Sequence, residues 1–197
     1  MLSVRTESDY LLDKIMCRMI SDKWYNHFAE LDALINSSEN PPNINNIQIG
    51  DNCRFNTLMY PLKFACQIAT FNIYNSETDC VDIIRYFLEH GALLEYPPVE
   101  LENGEFLREN IILYMEKSIT RLDNDLTKLE LRINNDDNNI LDYEDHMRHK
   151  RYISNARKII EYLKQYEREQ FELNQMYKRC KSDIDVYENN NDDNDDT

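Results

Sequence analysis

Residues 83–92 read Ile-Ile-Arg-Tyr-Phe-Leu-Glu-His-Gly-Ala, and this stretch decides the fold. Its apolar residues recur at helical spacing, which predicts a helix over about 79–90 with Thr78 or Asp79 as the N-cap. Gly91 follows the last helical residue, where a left-handed backbone closes a helix without a Cβ clash. A helix is also predicted upstream over about 58–70, since Pro61 has the φ angle that a first helical turn requires. The two segments form a predicted helix pair.

A second helix pair is predicted nearer the N-terminus. Residues 8–20 have one apolar face, and the spacing of Thr6 and Asp9 predicts a capping box at the start of the helix. The next helix follows Ser21 and ends near Asn36, ahead of two prolines; its predicted buried stripe is Trp24, Phe28, Leu31 and Ile35. Residues 37–56 are rich in Asn and Pro and predict a loop with a short hairpin-like finger.

The stretch 60–66, Tyr-Pro-Leu-Lys-Phe-Ala-Cys, together with residues 83–92, resembles an ankyrin repeat covering about 57–95. In that family the repeat begins Thr-Pro-Leu-His, and its second helix runs into Leu-Leu-x-x-Gly-Ala. Residues 8–50 resemble a repeat more loosely. Tyr60 and Lys63 replace the family's Thr and His, and about ten extra residues separate the two helices. The resemblance implies stacked helix pairs whose fingers and inner helix face bind another protein.

The composition changes after Pro97 and Pro98 towards long, charged helix formers. Apolar residues then recur at alternating steps of three and four, the spacing of a coiled-coil seam: Ile112, Met115, Ile119, Leu122, Leu126, Leu129 and Ile133. Residues 134–139 predict a turn, and a second helix over about 140–187 completes an antiparallel hairpin. Its stripe slips in phase near 148–151 and comprises Ile140, Tyr143, Met147, Ile153, Ala156, Ile160 and Leu163.

The sequence therefore predicts an all-α fold in three parts. An ankyrin-like helical block covers 1–96, a helical hairpin that packs on it or extends from it covers 97–187, and an acidic tail, expected to be disordered, covers 188–197. The apolar stripe continues past the end of the shorter hairpin helix. Its residues could pair two copies of the chain as a homodimer: Leu163, Tyr166, Leu173, Tyr177 and Ile184.

Composition restricts the classes of partner. The chain has 197 residues and a formal net charge of −15, which disfavours nucleic acid and anionic membranes as partners. Only three glycines are present, which argues against phosphate-binding loops. Five cysteines without a CxxC pair predict reduced thiols and a cytoplasmic location. The Asn-rich, Gly-poor usage suggests an AT-rich genome, such as that of a large DNA virus or a protist; a viral protein would act in the host cytoplasm.

No motif defines an enzyme, and we expect no catalytic residue, cofactor or metal ion. His146 and His149 share a helix face, but no third ligand is placed by motif, so a structural role is favoured. Cys66 and Cys80 are interpreted as small core residues. The basic run near 148–158 is expected to pair across the hairpin, matching Arg148 with Asp125, Lys150 with Asp123 and Arg157 with Glu116. Binding of phosphate or of an acidic partner is the alternative.

The favoured function is that of an adaptor, with a self-associating structural protein and an unrecognised enzyme as alternatives. By the ankyrin resemblance, the partner surface comprises the loop 47–56 and the helix 60–70. The insertion 71–78 carries apolar residues that either anchor a partner or pack under their own loop. The predicted partner-binding residues are Asn56, Tyr60, Lys63, Phe71, Ile73 and Tyr74.

Overall fold

The computed structural model describes residues 6–36, 39–45, 48–49, 58–71, 80–96, 99–100, 106–107, 110–135 and 140–191. Over these residues the protein is all-α, as the sequence predicts, with two additional pairs of two-residue strands. Three of the predicted partner-binding residues, Asn56, Ile73 and Tyr74, lie outside the described residues. None of the helices described combines the length and the apolar character that crossing a bilayer requires.

Six α-helices follow one another within the residues that the structure describes. Helix α1 spans Glu7–Ser21, α2 spans Phe28–Asn36 after a 3-10 turn at Trp24–His27, α3 spans Pro61–Phe71, α4 spans Asp82–Glu89, α5 spans Ile111–Asn135 and α6 spans Ile140–Asn191. Two antiparallel strand pairs connect them: β1 (Gln48–Ile49) with β2 (Leu58–Met59), and β3 (Val99–Glu100) with β4 (Phe106–Leu107). Strand β1 lies in the loop where the sequence predicts a finger, whereas β2 occupies the first two residues of the helix predicted over about 58–70, which begins at Pro61 instead.

Helix α1 begins with the predicted capping box. The Thr6 hydroxyl accepts from the Asp9 N–H at 3.2 Å, and the Asp9 carboxylate accepts from the Thr6 N–H at 2.8 Å. Asp9 is buried and also accepts from the N–H of Asn43 at 3.0 Å. Because these donors compensate the buried carboxylate, the cap also fixes the loop after α2 against the start of α1.

The predicted end of α4 is confirmed and its predicted start is wrong. A Cβ atom at position 91 would meet no neighbouring atom, so space does not explain the glycine. The left-handed backbone, with φ +86°, is what favours glycine there. At the other end the N-cap is Val81, which makes no side-chain capping bond, rather than Thr78 or Asp79. Those two residues lie outside the described part of the chain. Asp82 in the first turn still complements the helix dipole.

The two helix pairs lie side by side. Helix α3 packs on α4, and α1 packs on both α2 and α3. Helix α4 also contacts α2, because the Tyr86 hydroxyl donates to Asp32 Oδ1 at 3.0 Å. In the loop after α2, the Asn45 side chain donates to the Gly91 carbonyl at 3.0 Å and accepts from the Leu93 N–H at 2.9 Å. The two helix pairs are therefore joined by contacts between their helices and by hydrogen bonds from the loop after α2.

Helices α5 and α6 form the predicted antiparallel hairpin over residues 111–160. Ion pairs cross it between Arg132 and Asp142 (3.5 Å), His146 and Glu130 (3.2 Å), and Arg157 and Asp123 (3.8 Å). Two predicted pairings are wrong. Arg157 pairs with Asp123 rather than Glu116, and Arg148 pairs with Asp145 of its own helix at 3.4 Å. Spacing along the sequence does not specify the register of residues this far from the turn, because the packing of the two helices sets it.

The hairpin seam is confirmed on α5 and partly wrong on α6. Every predicted seam residue of α5 is buried or half-buried. On α6, Ile153, Ala156 and Leu163 are buried, but Tyr143 and Met147 are exposed. Polar side chains face inwards there instead: Asp142, Asp145, His146 and His149. Tyr143 and Met147 therefore lie on the outer side of α6. In this part of the hairpin, ion pairs between α6 and α5 take the place of the predicted apolar contacts.

The chain divides into two compact units, residues 1–160 and 161–197. The predicted boundary at Pro97 lies within the first unit, so the hairpin base belongs with the helix pairs. In the second unit α6 continues to Asn191, which makes the first four residues of the predicted tail helical. The last six residues lie outside the described part.

Two leucines of α5 provide a matched test of the hairpin packing. Leu129 is 3% exposed and Leu131 is 60% exposed. We expect Leu129→Ala to lower the free energy of unfolding by about 2–5 kcal/mol, because it leaves a cavity in the seam. Leu131→Ala should change it by less than about 0.5 kcal/mol. Urea unfolding followed by circular dichroism measures both, and equal effects would contradict the seam.

Candidate functional site

The hairpin borders the face of α3 that the sequence predicts as a contact surface. Lys63, Gln67 and Phe71 follow one another at steps of four and so share this face. The Lys63 ammonium lies 4.7 Å from the ring centroid of Tyr114. Gln67 Nε2 donates to the Tyr114 hydroxyl at 2.6 Å, and the Phe71 ring lies edge-on to the Tyr152 ring at 5.0 Å. Helices α5 and α6 therefore contact all three residues.

A cleft of about 330 Å³ remains between α3, α5 and α6. We call it the three-helix cleft. It combines aromatic and aliphatic side chains with a few polar groups, and its lining comprises Gln67, Thr70, Phe71, Tyr114, Met115, Ser118, Arg121, Leu122, Asp125, His149 and Tyr152. Its volume lies at the lower end of the range of ligand-binding clefts.

One polar atom at the cleft is unpaired. Gln67 Oε1 is buried and has no hydrogen-bond partner among the described residues. The hydroxyls nearby are already engaged, since Thr70 donates to the Cys66 carbonyl at 2.7 Å and Ser118 donates to the Tyr114 carbonyl at 2.9 Å. A buried polar atom without a partner is unfavourable, and the same burial keeps this oxygen out of reach of a molecule that enters the cleft.

The charged side of the cleft is formed by Asp125 and His149. His149 Nδ1 lies 2.9 Å from the Asp145 carbonyl, which can only accept, so Nδ1 carries the hydrogen. Lys128 Nζ lies 3.0 Å from Asp125 Oδ1, and its hydrogen bond and charge lower the pKa of Asp125. His149 contributes a smaller Coulombic effect in the same direction. The carboxylate is thus kept ionised at the edge of the cleft.

Of the six predicted partner-binding residues, the structure brings together Lys63 and Phe71. Phe71 is 47% exposed at the rim of the cleft. Tyr60 is buried and stacks on Tyr96 with ring centroids 3.4 Å apart, so its ring is not available to a partner. The sequence analysis missed Gln67, although its position midway between Lys63 and Phe71 places it on their face. It also missed the lining residues of α5 and α6, which only the packing of the hairpin identifies.

Two of the cysteines that the structure describes, Cys66 and Cys80, have free thiols. Burial raises the pKa of the Cys66 thiol, which therefore stays protonated. Cys80 forms no disulfide. The expectation of reduced thiols is wrong for Cys17, which is disulfide-bonded. In the part of the chain that the structure describes, no group of three or more His, Cys, Asp or Glu side chains is arranged to hold a metal ion.

Comparisons of the chain with known protein families, with curated proteins and with solved structures found no match. The ankyrin resemblance therefore stays a prediction from residues 57–95. The hairpin covers part of the α3 face that the resemblance would leave to a partner.

The Lys128–Asp125 contact gives a test of the cleft electrostatics. We expect Lys128→Met to raise the pKa of Asp125 towards its ordinary value, because the hydrogen bond and the positive charge are both lost. A pH titration of the Asp125 carboxyl carbon by NMR measures the shift. Lys117→Met replaces an exposed side chain of the same helix and should leave the titration of Asp125 unaltered. An unshifted Asp125 in the first variant would contradict the contact.

Proposed function

We propose that the chain is a non-catalytic protein-interaction module that binds a short segment of a partner protein in the three-helix cleft. The observation that carries this proposal is the cleft itself, which three packed helices preform and which the aromatic residues Phe71, Tyr114 and Tyr152 line. A partner segment that inserts one apolar side chain would bury apolar surface on those walls.

The construction of the cleft supports this function. Its walls are side chains of three packed helices, so little ordering is required when a segment binds. Phe71, Tyr114 and Tyr152 line it, and aromatic residues are enriched among those that dominate binding energy at interfaces. Phe71 in particular combines an exposed edge with a fixed ring, because Tyr152 holds its other side. Such a rim residue can contact the chain on either side of an inserted anchor.

The chemistry of the lining residues gives little support to catalysis. Ser118 donates its hydroxyl to a backbone carbonyl of its own helix, so its proton is not directed at a side-chain base. The His149 ring is held by the Asp145 carbonyl, and Asp125 is engaged by Lys128. These contacts fix the lining side chains, as a preformed binding site requires.

The cleft also replaces the contact surface that the ankyrin resemblance implies. The resemblance points to an open inner helix face, yet Lys63 and Gln67 on that face already contact Tyr114 of the hairpin. Phe71 remains a proposed contact residue. The other proposed contact residues include the cleft lining on α5 and α6.

A peptide library displayed on phage tests this function directly. We expect the purified chain to enrich a set of peptides, and the best of them to bind with a Kd in the micromolar range typical of short segments in preformed clefts. Ser118→Trp should weaken their binding at least about tenfold, because the larger ring fills the cleft. Isothermal titration calorimetry measures the affinities.

Thr120→Trp is the matched control, since Thr120 lies on the same helix outside the cleft lining and is exposed. It should retain the affinity within about twofold. A thermal melt establishes that both variants are folded. If no peptide is enriched, or if Ser118→Trp binds as tightly as the unmodified chain, the proposed function is wrong.

Self-association through the second unit is a second candidate function, favoured by the exposure of apolar residues there. Leu173 is 52% exposed and Tyr177 is 70% exposed, and the two lie at the four-residue spacing of one helix face. Leu163 is fully buried within the chain, so it does not belong to the open part of the predicted seam. The side chain of Ile184 lies outside the described part.

Light scattering after size exclusion tests the second candidate. If the helix pairs with a second copy, the unmodified chain should have about twice its 23.7 kDa mass. The double change Leu173→Glu and Tyr177→Glu should then restore the single-chain mass, because charges in an apolar seam repel. The changes Glu172→Gln and Lys178→Gln on neighbouring positions serve as the control. A single-chain mass for the unmodified protein at about 100 µM would exclude this candidate.

A further inference from the structure

We infer that the contact between α2 and α4 is a proton-dependent joint, which closes fully only when the His90 ring carries a hydrogen on both of its nitrogens. We call this contact the α2–α4 joint. The inference concerns the junction of the two helix pairs and does not depend on the three-helix cleft. It follows from the hydrogen-bond partners of one ring, that of His90, the C-cap residue of α4.

The first ring nitrogen of His90 is a donor. Its Nδ1 lies 2.7 Å from the carbonyl oxygen of Tyr86, one helical turn earlier. A carbonyl oxygen can only accept, so Nδ1 carries a hydrogen. In a neutral ring the other nitrogen, Nε2, is then an acceptor.

The second ring nitrogen faces another acceptor, since Nε2 lies 3.1 Å from Asn36 Oδ1 of α2. Exchanging the oxygen and nitrogen of this amide does not help. Asn36 Nδ2 lies 2.7 Å from Asp32 Oδ1, so the exchange would place an amide oxygen against a carboxylate. Turning the ring over would place its carbon atoms against both acceptors. Nε2 therefore donates to Asn36 only when the ring is charged.

The rest of the joint holds these acceptors in place. The Tyr86 hydroxyl donates to Asp32 Oδ1 at 3.0 Å, so the carboxylate that orients the Asn36 amide is itself fixed. Burial raises the pKa of the Tyr86 hydroxyl, which therefore keeps its hydrogen. The ring of His90 also packs on that of Tyr86, with ring centroids 4.2 Å apart.

The charges around the ring favour its positive form. The charged and titratable side chains of the three helices concerned are Glu30 and Asp32 of α2, Lys63 and Cys66 of α3, and Asp82, Arg85, Tyr86 and Glu89 of α4. Asp32 is connected to the ring by hydrogen bonds through Asn36, and the exposed Glu89 precedes the ring in the chain. The ring also lies at the C-terminal end of α4, where the helix dipole favours a cation.

The α2–α4 joint therefore weakens as the pH rises. The charged ring donates to Asn36 Oδ1, whereas loss of its proton leaves two acceptors facing each other. The closed joint binds more protons than the open one, so its stability falls as the pH rises through the range in which histidine changes charge.

A pH titration followed by NMR tests the inference. Between about pH 5 and 8, the signals of the Asn36 side-chain amide should move together with those of the His90 ring. At the upper end Nδ1 should keep its hydrogen, because the Tyr86 carbonyl still accepts it, so the proton leaves from Nε2. Spectra that correlate ring nitrogens with ring protons distinguish the two positions.

His90→Phe keeps a ring against Tyr86 and removes both N–H groups, so it should abolish the movement of the Asn36 signals. It should also lower the melting temperature by about 3 °C more at about pH 5 than at about pH 8, because the lost bond is formed only by the charged ring. In an Asn36→Leu background the second acceptor is absent, and this pH-dependent difference should fall below about 1 °C.

His146→Phe is the matched control, since this ring pairs with Glu130 in the hairpin, and it should leave the titration of the Asn36 signals unaltered. Asn36 signals that do not respond to pH, or a response that persists in His90→Phe, would overturn the inference. So would a neutral His90 ring that keeps its hydrogen on Nε2, or an effect of His90→Phe on the melting temperature that is equal at both pH values.

Discussion

Helix α3 is enclosed on two sides, and this enclosure is the constraint on which the described fold depends. One face packs against α4 and α1, and the face that carries Gln67 and Phe71 contacts α5 and α6. The Asn155 amide of α6 closes its C-terminal end by donating to the carbonyls of Ala69 and Thr70 at 3.4 and 3.3 Å. Two helix pairs alone bury a small core, and the hairpin supplies the additional apolar surface that α3 requires.

The hairpin combines an apolar seam with a polar one. Near α3 its inner face is formed by buried residues such as Met115, Ile153 and Ala156. Nearer the turn, the inner face of α6 carries Asp142 and His146, which pair with α5. Ion pairs in such positions contribute modestly to stability but disfavour alternative registers. The apolar residues displaced by this arrangement, Tyr143 and Met147, are left on the outer surface.

The cleft follows from the same packing. Helices α5 and α6 do not fill the whole face of α3, and a space remains beside Gln67 and Phe71. Phe71 and Tyr152 fix one another's rings by edge-on contact, and Gln67 holds the Tyr114 hydroxyl. A preformed cleft with largely apolar walls is typical of binding sites.

The sequence by itself determined the elements that depend on local chemistry. The capping box of α1, the left-handed Gly91 and the α5 seam follow from residue types at fixed spacing, and the structure has all three. Only the tertiary structure decided which faces meet. The burial of Tyr60 against Tyr96, the register of the hairpin ion pairs and the position of Tyr114 over Lys63 and Gln67 depend on how distant segments pack. Helical periodicity defines an apolar face without specifying its partner, because hydrophobic burial is not directional.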